Sequence, residues 1–160
     1  STTRRGSASA ETLLDLDLAA VFADADPRRV VLELTEHEAV ADYGPLAARV
    51  AAAQARGFRV AIDDVGAGYA SLRHLLLLKP DIVKIDRSLI AGLDGNPAQA
   101  SFVAALRDYA LTTGAQIIAE GIEREEERQV ILGLGRSWGQ GYLLGRPRAV
   151  EGFTPQTTLR

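Results

Sequence analysis

The sequence contains no cysteine, so it can form no disulfide and offers no thiolate to a metal. It lacks a basic excess: 18 Lys and Arg against 21 Asp and Glu leave a formal net charge of −3, which argues against polymeric nucleic acid as a partner. No secretory leader opens it, because STTRRGSASAE has basic and small residues but no apolar segment. Apolar runs such as Leu75–Leu78 are far too short to span a bilayer, and no membrane contact is expected. The two histidines, His37 and His74, have no ligand spacing and read as surface residues. No GxGxxG opens any of the predicted helices, which removes support for a dinucleotide-binding sheet.

What remains is the composition of an ordinary globular protein. Of 160 residues, 47% are hydrophobic and 24% charged, enough for one domain with a real core. A soluble, cytoplasmic domain is expected over residues 13–150. Residues 1–12 are small, polar and basic and read as poorly structured, and residues 151–160 read as a tail.

Between those limits, strand and helix patterns alternate. Val30–Leu34 is a β-branched run, followed after a polar break by an alanine-rich helical pattern from Pro45 to Arg56 that stops at Gly57. Phe58–Ile62 is the next strand, ending in Asp63-Asp64, and a helix over 70–78 is stopped by Pro80. Asp81–Asp86 makes a third strand. Asn96-Pro97 offers an N-cap and first-turn proline for a long helix ending at Gly114. Gln116–Ala119 is a fourth strand, Arg124–Leu134 a glutamate-rich helix, and a last short segment lies at Gln140–Leu144. Strands alternating with helices of this length predict βαβ units and a parallel sheet, in the α/β class.

The polar residues favour a TIM-like (β/α) barrel. Glu33, Asp63, Asp64, Lys84, Asp86, Glu120 and Glu123 all fall at, or just after, the carboxyl ends of predicted strands, where barrel enzymes gather their chemistry. Alternation along Asp81–Asp86 puts Lys84 and Asp86 on one face with Ile82, and Val83 and Ile85 on the other, against the helices. A structural ion-pair network, with Lys84 as counter-charge, would account for the same residues. Gly66 and Gly68 would then serve a tight turn, and Trp138 and Tyr142 read as packing residues. Against that reading, adjacent aspartates repel one another unless a cation or donors offset them. Carboxylates without thiols suit a hard divalent cation, Mg²⁺, Mn²⁺ or Ca²⁺. With the adjacent pair facing separate cations, such a mouth suits metal-dependent phosphoester hydrolysis, Lys84 orienting water or offsetting phosphate charge.

Five segments, in order, resemble the EAL domain family: Glu33-Leu34-Thr35-Glu36, Asp63 through Leu72, Lys84-Ile85-Asp86, Ala119 through Glu123, and Gln140-Gly141-Tyr142. The resemblance implies a (β/α) barrel that linearises cyclic di-GMP to pGpG with Mg²⁺ or Mn²⁺, in a parent protein whose upstream domain regulates it. It implies Glu33, Asp63, Asp64 and Glu120 as metal ligands, Lys84, Glu120 and Glu123 as the catalytic set, and Asp86 and Gln140 toward substrate. Glu36, Gly66, Gly68 and Tyr69 are implied in a loop bearing on metal binding and dimerisation, in which Val65 replaces the usual phenylalanine.

The Glu-Ala-Leu motif that names the family is absent, and Ser7 stands where its next motif has asparagine. A barrel of this type takes about 250 residues, so the expected structure is a partial barrel missing its first strand or strands. Unpaired sheet edges then predict association, as a homodimer or by strand sharing. The missing ligand positions predict impaired hydrolysis, with a non-catalytic cyclic di-GMP-binding or dimerisation module as the alternative.

Overall fold

The computed structural model describes residues 4–35, 40, 42–67, 71–135 and 137–146. Six strands make one sheet in the order β1-β2-β3-β4-β5-β6, and every neighbouring pair is parallel. They are β1 (Arg4–Ala8), β2 (Val30–Leu34), β3 (Arg59–Val65), β4 (Ile82–Ile85), β5 (Gln116–Ala119) and β6 (Ser137–Gly139). The connections carry α1 (Ala10–Asp15), α2 (Leu18–Val21), α3 (Tyr43–Ala55), α4 (Ser71–Leu78), α5 (Arg87–Ile90), α6 (Pro97–Thr113) and α7 (Glu125–Gly133). Strand order that follows chain order, without the reversal of a doubly wound sheet, is the order of a (β/α) barrel. Among the described residues β1 and β6 are its edges, and the barrel is partial.

Strand alternation divides the apolar residues between two layers. Leu32, Leu34, Val60, Ile62, Val83, Ile85 and Ile117 pack outward against the helices, which contribute Leu46, Val50, Val103 and Leu106. Val31, Ala61 and Ile82, with Ile118 beside them, fill the barrel interior. The face assignment read from β4 therefore holds for Ile82, Val83, Lys84 and Ile85, while Asp86 lies past the strand end and caps α5. The boundaries of α6 follow from local chemistry: the Asn96 side chain accepts from Gln99 N–H, Pro97 opens the first turn, and Gly114 closes the helix in a left-handed conformation.

Four expectations need correction. Residues 4–12 are not poorly structured: β1 pairs along β2 from Arg4↔Val30 to Ala8↔Leu34, and Ser9 caps α1 by accepting from Thr12 N–H. Pairing, not composition, makes that strand. His74 is not a surface residue but buried, its Nδ1 lying 3.3 Å from the Tyr43 hydroxyl between α3 and α4. Trp138 and Tyr142 are exposed rather than packed. The last segment read from sequence is a turn following the short strand β6, which alternation over three residues could not reveal.

One further difference, at a strand end, matters most for function. β3 does not stop at Ile62 but runs through both aspartates to Val65. Ile62 pairs with Val83 and Val65 with Ile85, so three steps along β3 oppose two along β4. The strand contains a bulge with one extra residue. Asp64 takes up the kink at φ 54°, a left-handed conformation that aspartate tolerates better than most residues.

Candidate functional site

Regular alternation would send Asp63 into the barrel and Asp64 out toward the helices. The bulge cancels that alternation: Ile62 and Val65 both pack in the outer layer, and the two aspartates between them reach one cluster. A carboxylate oxygen from each of Asp63, Asp64 and Glu120 lies within 4.8 Å of the others. The Asp63 carboxylate also accepts from the Asp64 N–H, 3.1 Å away.

Lys84, projecting inward from β4, sits among these acids. Its Nζ is 2.7 Å from Asp63 Oδ1, 2.9 Å from Glu120 Oε1 and 3.7 Å from Glu33 Oε2. The lysine side chain is 7% exposed and the three carboxylates 13–15%, so the charges interact with little screening by water. Burial works to lower the Lys84 pKa, but its bonds to Asp63 and Glu120 and the charge of Glu33 outweigh it and hold the ammonium above its ordinary value. Burial raises Glu120, and the negative charges of Asp63 and Asp64 add to that rise, more than Lys84 offsets. Gln140 donates from Nε2 to Glu120 Oε1 at 2.7 Å, joining the turn after β6 to the same cluster.

The structure thus brings together Glu33, Asp63, Asp64, Lys84, Glu120 and Gln140, from five consecutive strand ends. Glu123 stands beside them: its carboxylate pairs with Arg87 at 3.0 Å on the wall of a cavity of about 460 Å³. Arg87, Gly121, Gln140, Tyr142 and Arg146 share that wall. The contacts of Asp86 lie elsewhere. It caps α5 by accepting from Ser88 N–H at 2.9 Å, and although burial raises its pKa, the Ser88 bonds bring it below the ordinary value. Gly66 has φ 113°, and any Cβ there would collide with Leu89. Glu36, Gly68 and Tyr69 lie outside the described residues.

Sequence reasoning missed Arg87, which follows the Lys-Ile-Asp segment directly, and Glu127, whose carboxylate is buried. Glu127 sits inside the run Glu125-Glu126-Glu127, which reads as a solvated helix face. Its signal was positional: a glutamate at the third position of α7 can reach back to the N–H groups before the helix.

The donor set is carboxylate oxygen with one amide, concentrated at the carboxyl ends of barrel strands. Those residues fit Mg²⁺ or Mn²⁺ and do not fit a soft metal. A partial (β/α) barrel with an acidic mouth of this kind defines the class, and sequence comparison supplies the family. The chain belongs to the EAL domain family, whose model matches residues 6–147.

The chain is 34% identical over 122 residues to the probable cyclic di-GMP phosphodiesterase PdeA of Escherichia coli (strain K12), covering 76% of this chain and 17% of that protein. The solved EAL domain of Mycobacterium smegmatis DcpA superposes with a TM-score of 0.81 at 33% identity, over 91% of this chain and 68% of that one. Klebsiella pneumoniae BlrP1, solved with manganese and cyclic di-GMP, gives a TM-score of 0.76 at 26% identity over 88% of this chain and 38% of that one. The chain spans less than a fifth of the length of the first curated relatives it matches, at 17%, 18% and 16%.

Proposed function

We propose that this chain is a cyclic di-GMP phosphodiesterase domain that uses Mg²⁺ or Mn²⁺ to open the cyclic dinucleotide to pGpG. The observation that carries the proposal is the convergence of Asp63, Asp64 and Glu120 around Lys84. Glu33, Asp63, Asp64 and Glu120 would hold the cation, which when bound supplies a Lewis acid and a nucleophilic water at neutral pH. Water adds to phosphorus as one P–O bond to ribose breaks, so one water is consumed and a linear dinucleotide with a terminal phosphate leaves. Lys84 would hold that water and offset charge on the phosphoryl oxygens. Gln140 orients Glu120 through its 2.7 Å bond. Glu123 and Arg87 shape the adjoining cavity, where the rest of the nucleotide would lie.

Incubation with Mn²⁺ and cyclic di-GMP should yield pGpG by chromatography. No product at high enzyme concentration, with nucleotide binding retained in calorimetry, would move the assignment to a non-catalytic binding module. One observation favours that second reading. Ser7 stands where the family has asparagine, and β1 places it in register with Glu33, at the level of the cluster. We therefore expect slow turnover from this chain.

Association is proposed from the sides of β1 and β6 that are unpaired among the described residues and from Leu72, Leu76 and Leu77, exposed on α4. Sedimentation should show a dimer, and a monomer at high dilution would count against it. The short span of this chain within its relatives fits a larger protein in which an upstream domain supplies regulation.

A further inference from the structure

Glu120 is the first residue past β5, beyond the last ladder pair Ile85↔Ala119. Its distance from Lys84 therefore depends on what holds residues 120–124. On one side this segment is fastened to the turn after β6: Ile122 N–H donates to Gln140 C=O at 3.1 Å, and Leu143 N–H to Ile122 C=O at 3.1 Å. On the other side it is joined at four places to the end of β4 and the chain following it. Glu120 N–H donates to Ile85 C=O at 3.0 Å, Arg87 pairs with Glu123 at 3.0 Å, the half-exposed Arg124 pairs with Asp94, and Gly92 N–H donates to Glu127 at 3.1 Å, Glu127 in turn holding Glu123 and Arg124.

The last of these is the best protected. Arg87 and Glu123 are substantially exposed, and such pairs hold weakly. The Glu127 residue is 3% exposed, and each of its oxygens takes two donors. Oε1 accepts from Gly92 N–H and Arg124 Nε, and Oε2 from the N–H groups of Glu123 and Arg124, all at 3.1 Å. This uses the acceptor capacity of a carboxylate fully. A helix-capping glutamate would need only the Arg124 N–H. Reaching Glu123 and Gly92 as well serves the segment that carries Glu120, not the helix.

We propose that Glu127 is a positioning residue for the acidic site: its carboxylate fixes residues 120–124 against the chain after β4 and so sets Glu120 relative to Lys84. The proposal rests on the phosphodiesterase reading for its consequence in metal binding, and on hydrogen-bond geometry alone for its mechanical content.

The test compares Glu127→Ala with Leu46→Ala, a control that destabilises the core at α3, away from these segments. Two quantities are read on the folded chain: Mn²⁺ affinity by titration calorimetry, and amide hydrogen exchange at Glu120, Ile122 and Leu143. In Glu127→Ala, Mn²⁺ affinity should fall by about tenfold or more, the range for residues that orient metal ligands, and all three amides should lose protection. Leu46→Ala should leave both unchanged apart from its global loss of stability. Glu127→Gln, which keeps one oxygen for two donors, should be intermediate, and it stands in should the alanine variant not fold.

Unchanged Mn²⁺ affinity with the three amides still protected would overturn the proposal, as would equal losses in Leu46→Ala. Failure of the phosphodiesterase reading looks different. Wild-type chain would then take up no Mn²⁺, and exchange at Glu120 and Ile122 would alone decide whether Glu127 holds the segment.

Discussion

Replacing Lys84 with methionine keeps an unbranched apolar stem of similar length and removes the cation from the middle of the acidic cluster. The ammonium lies 2.7 and 2.9 Å from Asp63 and Glu120 and 3.7 Å from Glu33. Without it, Asp63, Asp64 and Glu120 face one another across no more than 4.8 Å. At an effective dielectric constant of about 20, each like-charge pair at that distance costs about 3.5 kcal/mol. Glu120, whose pKa burial already raises, is the group best placed to relieve this by taking up a proton. The net loss in metal-free buffer at neutral pH is then about 3 kcal/mol, in line with the removal of one partner from a buried ion pair. Acidification protonates Glu120 ahead of unfolding, so the deficit relative to wild type should shrink as pH falls. A divalent cation supplies the missing positive charge, so Mn²⁺ should stabilise Lys84→Met more than it stabilises wild type, while hydrolysis is lost. Urea denaturation in chelator and in saturating Mn²⁺ measures both differences at unchanged slope. An equal or smaller Mn²⁺ effect in the variant would refute the reasoning, as would a metal-free variant as stable as wild type.

Ser7→Asn, introducing the residue that the family resemblance implies at a position in register with Glu33, should raise Mn²⁺ affinity by about tenfold and increase turnover, as read by calorimetry and pGpG formation. Gly141→Ala should destabilise by roughly 1–3 kcal/mol, because a Cβ there would fall on the backbone of Ile122; thermal unfolding checks it. Burial raises the pKa of Glu127, but the N–H groups of Gly92, Glu123 and Arg124 and the Arg124 side chain hold it below its ordinary value. That contribution is complete above the unfolded carboxylate pKa of about 4.3 and disappears as pH falls through the lower folded value. Glu127→Gln should accordingly show a shallower loss of stability on acidification below about pH 5, measured by denaturation at a series of pH values.

The acidic site was legible in the sequence because barrel strands end where their chemistry begins. Glu33 and Lys84 stand next to last in short apolar runs and Glu120 directly follows one, and alternation alone puts Lys84 inward with Ile82. The long helix α6 announced both its ends through Asn96-Pro97 and Gly114. What was not legible depends on partners distant in sequence. β1 and β6 are made by pairing with β2 and β5, and three residues such as Ser137-Trp138-Gly139 have no period to read. His74 is buried because α3 lies over it, and Glu127 because the chain around Gly92 folds onto an otherwise solvated acidic run. The bulge at Asp64 was hidden for the same reason, since β4 alone defines the count it violates.

That bulge gives Asp64 an unusual standing among the acids. The sheet does not require it: with Asp64 deleted, Ile62 and Val65 would still fall in the outer layer and Asp63 would still point inward, and the pairing with β4 would become regular. The other cluster members occupy positions that any sequence with this fold must fill with something. Asp64 occupies a position that the pairing of β3 with β4 does not require. A one-residue deletion there should thus separate architecture from chemistry, making the ladder with β4 regular while emptying one corner of the site.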